Sequence, residues 1–246
     1  MSTSVIAVER RTVRAWVRDW VDLTKPRLTL LVLVTVVVGA VVSGAEWMQA
    51  GLLLHLLAGT ALVAASSSAA NQCWERDRDR RMLRTAGRPL PSGRISPREA
   101  VGFAAITLAA GVTYLAIAVN TTVALLGALT WVTYVVVYTP LKTRTTANTV
   151  VGAVAGALPI MMGWAAAGRG FDLFAASLFG IVYLWQFPHF MAIAWIYRDD
   201  YRRAGYQMLP TADVGGQRAA ALATFGAASL VSMSLLPAVY GGAGFD

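Results

Sequence analysis

Residues 52–81, LLLHLLAGTALVAASSSAANQCWERDRDRR, join a nineteen-residue apolar run, Leu52 to Ala70, to the most densely charged segment of the chain. The run is long enough to cross a hydrocarbon core, which takes about 20 residues of helix. No helix breaker follows before Arg84, so the helix is expected to continue into the charged segment and to end at Gly87, Pro89 and Pro91. Asn71, Glu75 and Asp79 then repeat every four residues and place three oxygen ligands on one helical stripe. The stripe covers about 12 Å of helix rise at the membrane surface.

The rest of the chain has the same character. Hydrophobic residues make up 57% of it and charged residues only 14%, against about 25% in soluble domains. Seven apolar stretches can span, near 28–47, 51–70, 100–119, 121–138, 148–167, 171–197 and 219–240. The expected fold is therefore all-α, a polytopic transmembrane helical bundle in a single domain, 1–246. It opens with a cytoplasmic or interfacial segment, 1–24, in which Trp16 and Trp20 share a face with Val13 while Arg14 and Arg18 share another, as in a helix lying in the interface.

A net charge of +8 could suggest nucleic acid, but its distribution argues otherwise. Every Lys and Arg except Arg169 falls in four alternate segments: the N-terminus, the loop after span 2, Lys142 and Arg144 after span 4, and 198–218 after span 6. The positive-inside rule places these, the N-terminus included, in the cytoplasm. The basicity reports topology, and no nucleic-acid partner is expected. Loops 71–98, 139–147 and 198–218 share that face. One cysteine, Cys73, excludes an internal disulfide.

Two accounts of the charged segment stay open. One is a solvated helix end with ion pairs, Asp77 with Arg81 and Glu75 with Arg78. The other is a magnesium site, since magnesium takes one or two carboxylates and leaves its other positions to water and substrate phosphates. Arg84, Arg88 and Arg94, which have no acidic partners by spacing, would hold the phosphate oxygens. A second polar group at the same face runs from Trp185-Gln-Phe-Pro188-His189 to Arg198-Asp199-Asp200. On one continuous helix, His189 and Asp200 point the same way about 16 Å apart, which favours Asp200 over Asp199. An ionisable His189 in a span usually faces a cavity or a partner. His55, near the opposite face and without polar neighbours, reads as structural.

These motifs, in order, resemble the UbiA superfamily of membrane prenyltransferases. The matching elements are Leu23-Thr-Lys-Pro-Arg27, the Asn71 run continuing to Arg84-Thr85 and Arg88-Pro89-Leu90, Tyr138-Thr-x-x-Leu-Lys142, Trp185-Gln-x-Pro-His189, and Asp200-Tyr-x-x-Ala-Gly205 with Met208-Leu-Pro210. The histidine motif is similar to that of the branch that farnesylates haem b. The resemblance implies a bundle of nine helices around a cavity, of which seven are present here. It implies magnesium held by Asn71, Glu75, Asp79 and Asp200, and the diphosphate of farnesyl diphosphate bound by Arg84, Arg88, Lys142 and Arg144. His189 would face the porphyrin of haem b. It also implies a multi-pass protein of the inner (cell) membrane, with haem A synthase or oxidase assembly factors as partners. Glu75 departs from the family's usual Asp, keeping the charge on a longer arm. The competing functions are a prenyltransferase for an aromatic acceptor such as 4-hydroxybenzoate, a membrane transporter, and an inactive truncated fragment.

Overall fold

The computed structural model describes residues 12–44 and 50–241, and among these every regular element is helical. Residues 45–47, the end of the first expected span, and Arg10 and Arg11 lie outside the described residues. The helices are α1 (Val13–Thr24), α2 (Pro26–Val42), α3 (Ala50–Asp79), α4 (Pro97–Ala118), α5 (Thr121–Trp131), α6 (Thr139–Leu141), α7 (Asn148–Ala166), α8 (Leu173–Ile196), α9 (Arg198–Ala204), α10 (Leu209–Ala212) and α11 (Gln217–Gly241). A π-helical segment, Val132–Tyr138, joins α5 to α6. Six helices are long and apolar enough to cross a membrane, and the bent pair α1–α2 makes a seventh if taken as one span.

The bend of 44° between α1 and α2 has a local cause. Lys25 sits in the left-handed region, φ 49°, immediately before Pro26. A residue preceding proline is disfavoured in the helical region, while proline itself suits the first turn of a new helix. We take α2 as the span and α1 as the interfacial helix. Trp20 of α1 packs at a tilt against Phe103 of α4, ring centres 5.4 Å apart, and buried Asp19 binds Arg94 at 2.9 Å. Arg94 is therefore partnered, contrary to its appearance in the linear sequence.

Helix α7 is the axis of the bundle. Of its span 72% is buried, against 11–28% in the other candidate spans, and α2, α5, the π segment and α8 surround it. Its crossing with α2 depends on two glycines. A Cβ on Gly163 would collide with the Val36 carbonyl, and one on Gly39 with the Ile160 carbonyl. Small residues permit this backbone-to-backbone approach, a common basis of helix association in lipid.

Helix α3 has 30 residues, about 45 Å of rise, and so exceeds a hydrocarbon core of about 30 Å. Its charged foot emerges as expected, but the helix stops at Asp79, short of Gly87. The chain folds back through turns there, with the Thr85 hydroxyl donating to the Asp79 carbonyl at 2.9 Å and Arg80 to the Pro91 carbonyl at 2.8 Å. Helix α4 then starts on the expected capping box, Ser96 with Glu99. Cys73 packs among Leu23, Leu90 and Ile95, a structural position.

Two further expectations change. Helix α8 ends at Ile196 and α9 begins after Tyr197, whose φ and ψ of −104° and 21° interrupt the axis. His189 and Asp200 therefore do not share one continuous helix. His55 does have a polar neighbour, since its Nδ1 lies 2.7 Å from the Tyr114 hydroxyl on α4.

Candidate functional site

The last turns of α3 are the floor of a polar cavity. Asn71, Glu75 and Asp79 do lie on one stripe, and they are 1%, 6% and 1% exposed. Each meets a cation delivered by a different part of the chain. Lys25 Nζ donates to Asn71 Oδ1 at 2.9 Å, Lys142 Nζ to Glu75 Oε1 at 2.8 Å, and Arg88 Nη1 to Asp79 Oδ2 at 2.8 Å. The Asn71 amide also donates to Thr139 Oγ1 at 3.1 Å, which orients its carbonyl oxygen toward Lys25.

Three loops converge here because local structure sends them inward. The bend at Lys25 delivers that side chain from the α1–α2 junction. The π segment widens the turn before Pro140, where a proline would clash with the preceding turn of a regular helix. Thr139 Oγ1 satisfies the Tyr134 carbonyl at 2.8 Å, and Tyr134 and Tyr138 line the cavity. The chain after α9 closes over the top, with the Gln207 amide donating to the Lys142 carbonyl at 2.7 Å and Asn148 Nδ2 to the Gln207 carbonyl at 2.9 Å. Beside it, Met82, Ala194, Ala204, Tyr206 and Met208 form an apolar cluster.

The cavity measures about 120 Å³. Lys25, Arg84, Arg88 and Lys142 face it against two carboxylates, Glu75 and Asp79, so four cations minus two anions leave a formal excess of two positive charges. Burial, and then the Arg88 guanidinium, pull the Lys25 ammonium down to about 7. Burial would also lower Lys142, but the Glu75 carboxylate and neighbouring tyrosines hold it well above the ordinary lysine value. Arg84 reaches the cavity and stacks on Tyr197, 4.6 Å from the ring centre, which ties the loop after α3 to the α8–α9 break.

Of the residues singled out by sequence, the structure brings together Asn71, Glu75, Asp79, Arg84, Arg88 and Lys142. Arg144 is exposed and does not line the cavity. Asp200 also lies outside the lining and is joined to Arg203 on its own helix, although its neighbour Tyr201 lines it. Its side chain is 12% exposed, against 69% for Asp199. His189 stands on an exposed face of α8 with its ring 5.0 Å from Trp185. Gln186, one residue from Trp185, instead points into the bundle and donates to the Ala153 carbonyl of α7 at 2.9 Å.

The local ion pairs expected from spacing do not form. Asp77 pairs with Arg76 at 3.1 Å and Arg80 at 3.3 Å, because α3 ends before Arg81 could complete the next turn. Glu75 turns inward to Lys142 rather than to Arg78. Arg88, unpartnered by spacing, holds Asp79. Lys25 is the residue that sequence reasoning passed over. It lay inside a quoted motif, and the lysine–proline junction between two helical patterns was the available signal. Tyr138 likewise lay inside a quoted motif, whereas Tyr134 gave no signal, since an aromatic residue in an apolar run usually reads as core, and Tyr206 sat unmarked between Gly205 and Met208. Among the described residues, no three His, Cys, Asp or Glu side chains cluster as metal ligands. The available set is one amide oxygen and two carboxylates.

With this geometry in view, comparison with known proteins is direct. The family model for the UbiA prenyltransferase family matches residues 32–245. The chain is 42% identical over 236 residues to a protoheme IX farnesyltransferase of Solibacter usitatus, covering 92% of this chain and 81% of that one. It is 44% identical over 217 residues to a protein of the same name from Rhodopirellula baltica, covering 88% and 76%. Among solved structures, a UbiA homolog from Archaeoglobus fulgidus bound to GPP and Mg2+ superposes with a TM-score of 0.75 at 22% identity, covering 87% of this chain and 76% of that one. The chain is a multi-pass membrane protein and belongs to the UbiA prenyltransferase family.

Proposed function

We propose that this chain transfers the farnesyl group of farnesyl diphosphate to a vinyl group of haem b, with addition of water, to give haem O. The single observation that carries the donor half is the interleaving at the foot of α3, where three oxygen ligands and three cations from other elements meet in one cavity. The acceptor half rests on relatives 42–44% identical whose name is protoheme IX farnesyltransferase. That name favours haem over an aromatic acid as acceptor.

The donor set fits magnesium. Asn71, Glu75 and Asp79 offer only oxygen, the ligand type a hard divalent cation prefers, and the positive excess around them suits a polyanion. Asn71, Glu75 and Asp79 would hold the metal, with Asp200 as the second acidic position. Bound magnesium supplies Lewis-acid neutralisation of the diphosphate charge.

The protein groups do the rest. Lys142, Arg88 and Lys25, now spent on Glu75, Asp79 and Asn71, would exchange those partners for diphosphate oxygens. Arg84 and Arg144 would add contacts from the rim. These cations stabilise negative charge as the allylic carbon–oxygen bond breaks and its electron pair leaves on the diphosphate. The vinyl π electrons of haem b then form the new carbon–carbon bond. Water adds to the resulting cation and releases a proton. His189, beside Trp185 on α8, would face the porphyrin as an iron ligand or as the proton acceptor.

We place this site at the cytoplasmic face of the inner membrane, because the basic segments gather at this end of the bundle. Haem O serves haem–copper oxidases, so haem A synthase or oxidase assembly factors are the expected partners downstream. The test is to incubate membranes containing the protein with magnesium and farnesyl diphosphate, adding haem b or 4-hydroxybenzoate, and to read the products by mass spectrometry. Haem that gains one farnesyl group and one hydroxyl supports the reading. Prenylation of the phenol alone overturns it.

A further inference from the structure

Tyr206 is 4% exposed, and its hydroxyl has no hydrogen-bond partner. A buried phenol usually finds a partner, and leaving one without is destabilising. Among the described residues four other buried polar side chains share this condition, on Trp20, Thr60, Gln72 and Asn148, but Tyr206 alone of these five lines the cavity at the foot of α3.

The ring is fixed in that direction. Gly205, at φ +74°, turns the chain out of α9, which the left-handed region favours in glycine. The Tyr206 amide then donates to the Tyr201 carbonyl at 2.9 Å, and Thr211 Oγ1 donates to the Tyr206 carbonyl at 3.0 Å. The Tyr201 ring meets it edge-on at 5.8 Å, with Met82, Ala204 and Met208 around it. A side chain held on these sides cannot swing to another acceptor. The Glu75 carboxylate approaches the phenol closely enough to act on it, but it is taken by Lys142 and its geometry toward the hydroxyl falls short of a hydrogen bond. Burial, and then Glu75, raise the phenol far above its ordinary pKa, so it keeps its proton.

A neutral, fixed O–H in the wall of a cavity with excess positive charge is arranged for an anionic oxygen. We infer that Tyr206 is a substrate-binding residue whose hydroxyl donates a hydrogen bond to a diphosphate oxygen of the prenyl donor. This rests on the donor-site reading above. The donor is in place before charge develops on the leaving group, so its contribution requires no rearrangement during bond cleavage.

The test compares detergent-solubilised wild type with Tyr206→Phe, which keeps the ring and removes only the hydroxyl. Inorganic pyrophosphate is titrated calorimetrically in the presence of Mg2+, and thermal melting is recorded for both proteins. The inference expects wild type to bind and Tyr206→Phe to bind about tenfold more weakly, the scale of one hydrogen bond to a charged group. Its melting temperature should be unchanged or higher, since an unpaired buried hydroxyl is gone. Equal binding by both proteins would overturn the role of Tyr206 and leave the donor site standing. Failure of wild type to bind pyrophosphate would overturn both.

Discussion

The two acidic stretches of this protein lie near the same end of the bundle and differ in where their partners come from. In the first, Asn71, Glu75 and Asp79 are buried, and their cations arrive from positions 25, 142 and 88. In the second, Asp199 and Asp200 pair with Arg202 and Arg203, three residues along the same short helix. Local pairs of that kind recur on solvated helix surfaces and contribute little. Pairing between distant segments instead costs desolvation on both sides and requires the segments to converge. The difference teaches that opposite charges on a helix mark a site when their partners are supplied by other elements.

The largest effect should come from the first stretch. Asp79→Ala is expected to lower turnover by on the order of a hundred- to a thousandfold, with normal membrane insertion by immunoblot of washed membranes. Full activity would place the two stretches on an equal footing and break the contrast. Next, Lys142→Met leaves Glu75 buried without its cation, and resistance to detergent-induced unfolding should fall by about 3–5 kcal/mol. The double variant Glu75→Gln, Lys142→Met should recover much of that loss. Arg203→Met, on the second stretch, should change stability far less, because Arg203 is mostly exposed.

Smaller effects sharpen the comparison within each stretch. Asp200→Asn should reduce turnover more than Asp199→Asn, because the Asp200 side chain is the more enclosed of the two. Equal effects would mean that the second stretch acts only through net charge. Glu75→Asp, which restores the residue the family usually carries, should keep turnover within a few-fold of wild type. Asp77→Asn should be indistinguishable from wild type in the same assay, since Asp77 pairs with Arg76 and Arg80 on the exposed side of α3.

Much of this was legible in the sequence. Apolar run length located the spans, the four-residue repeat placed three oxygen ligands on one stripe, and Ser96 with Glu99 marked a helix start. What stayed hidden was set by contacts between distant segments. Spacing assigned Arg81 to Asp77 and left Arg88 and Arg94 unpaired, whereas Arg88 reaches Asp79 and Arg94 reaches Asp19, 75 positions away. The π segment that brings Tyr134 and Tyr138 to the cavity leaves no trace in an all-apolar run. The break at Tyr197 has neither glycine nor proline to announce it, so spacing aligns His189 with Asp200 although the helix ends between them.

A stripe on α3 that holds a divalent cation together with a diphosphate should bind the two interdependently. The most direct measurement is electron paramagnetic resonance of Mn2+, added with inorganic pyrophosphate to purified wild type and to Asp79→Asn. Wild type should bind Mn2+ in a pyrophosphate-dependent manner, and Asp79→Asn should lose this bound signal while remaining folded. Undiminished Mn2+ binding by Asp79→Asn would contradict it.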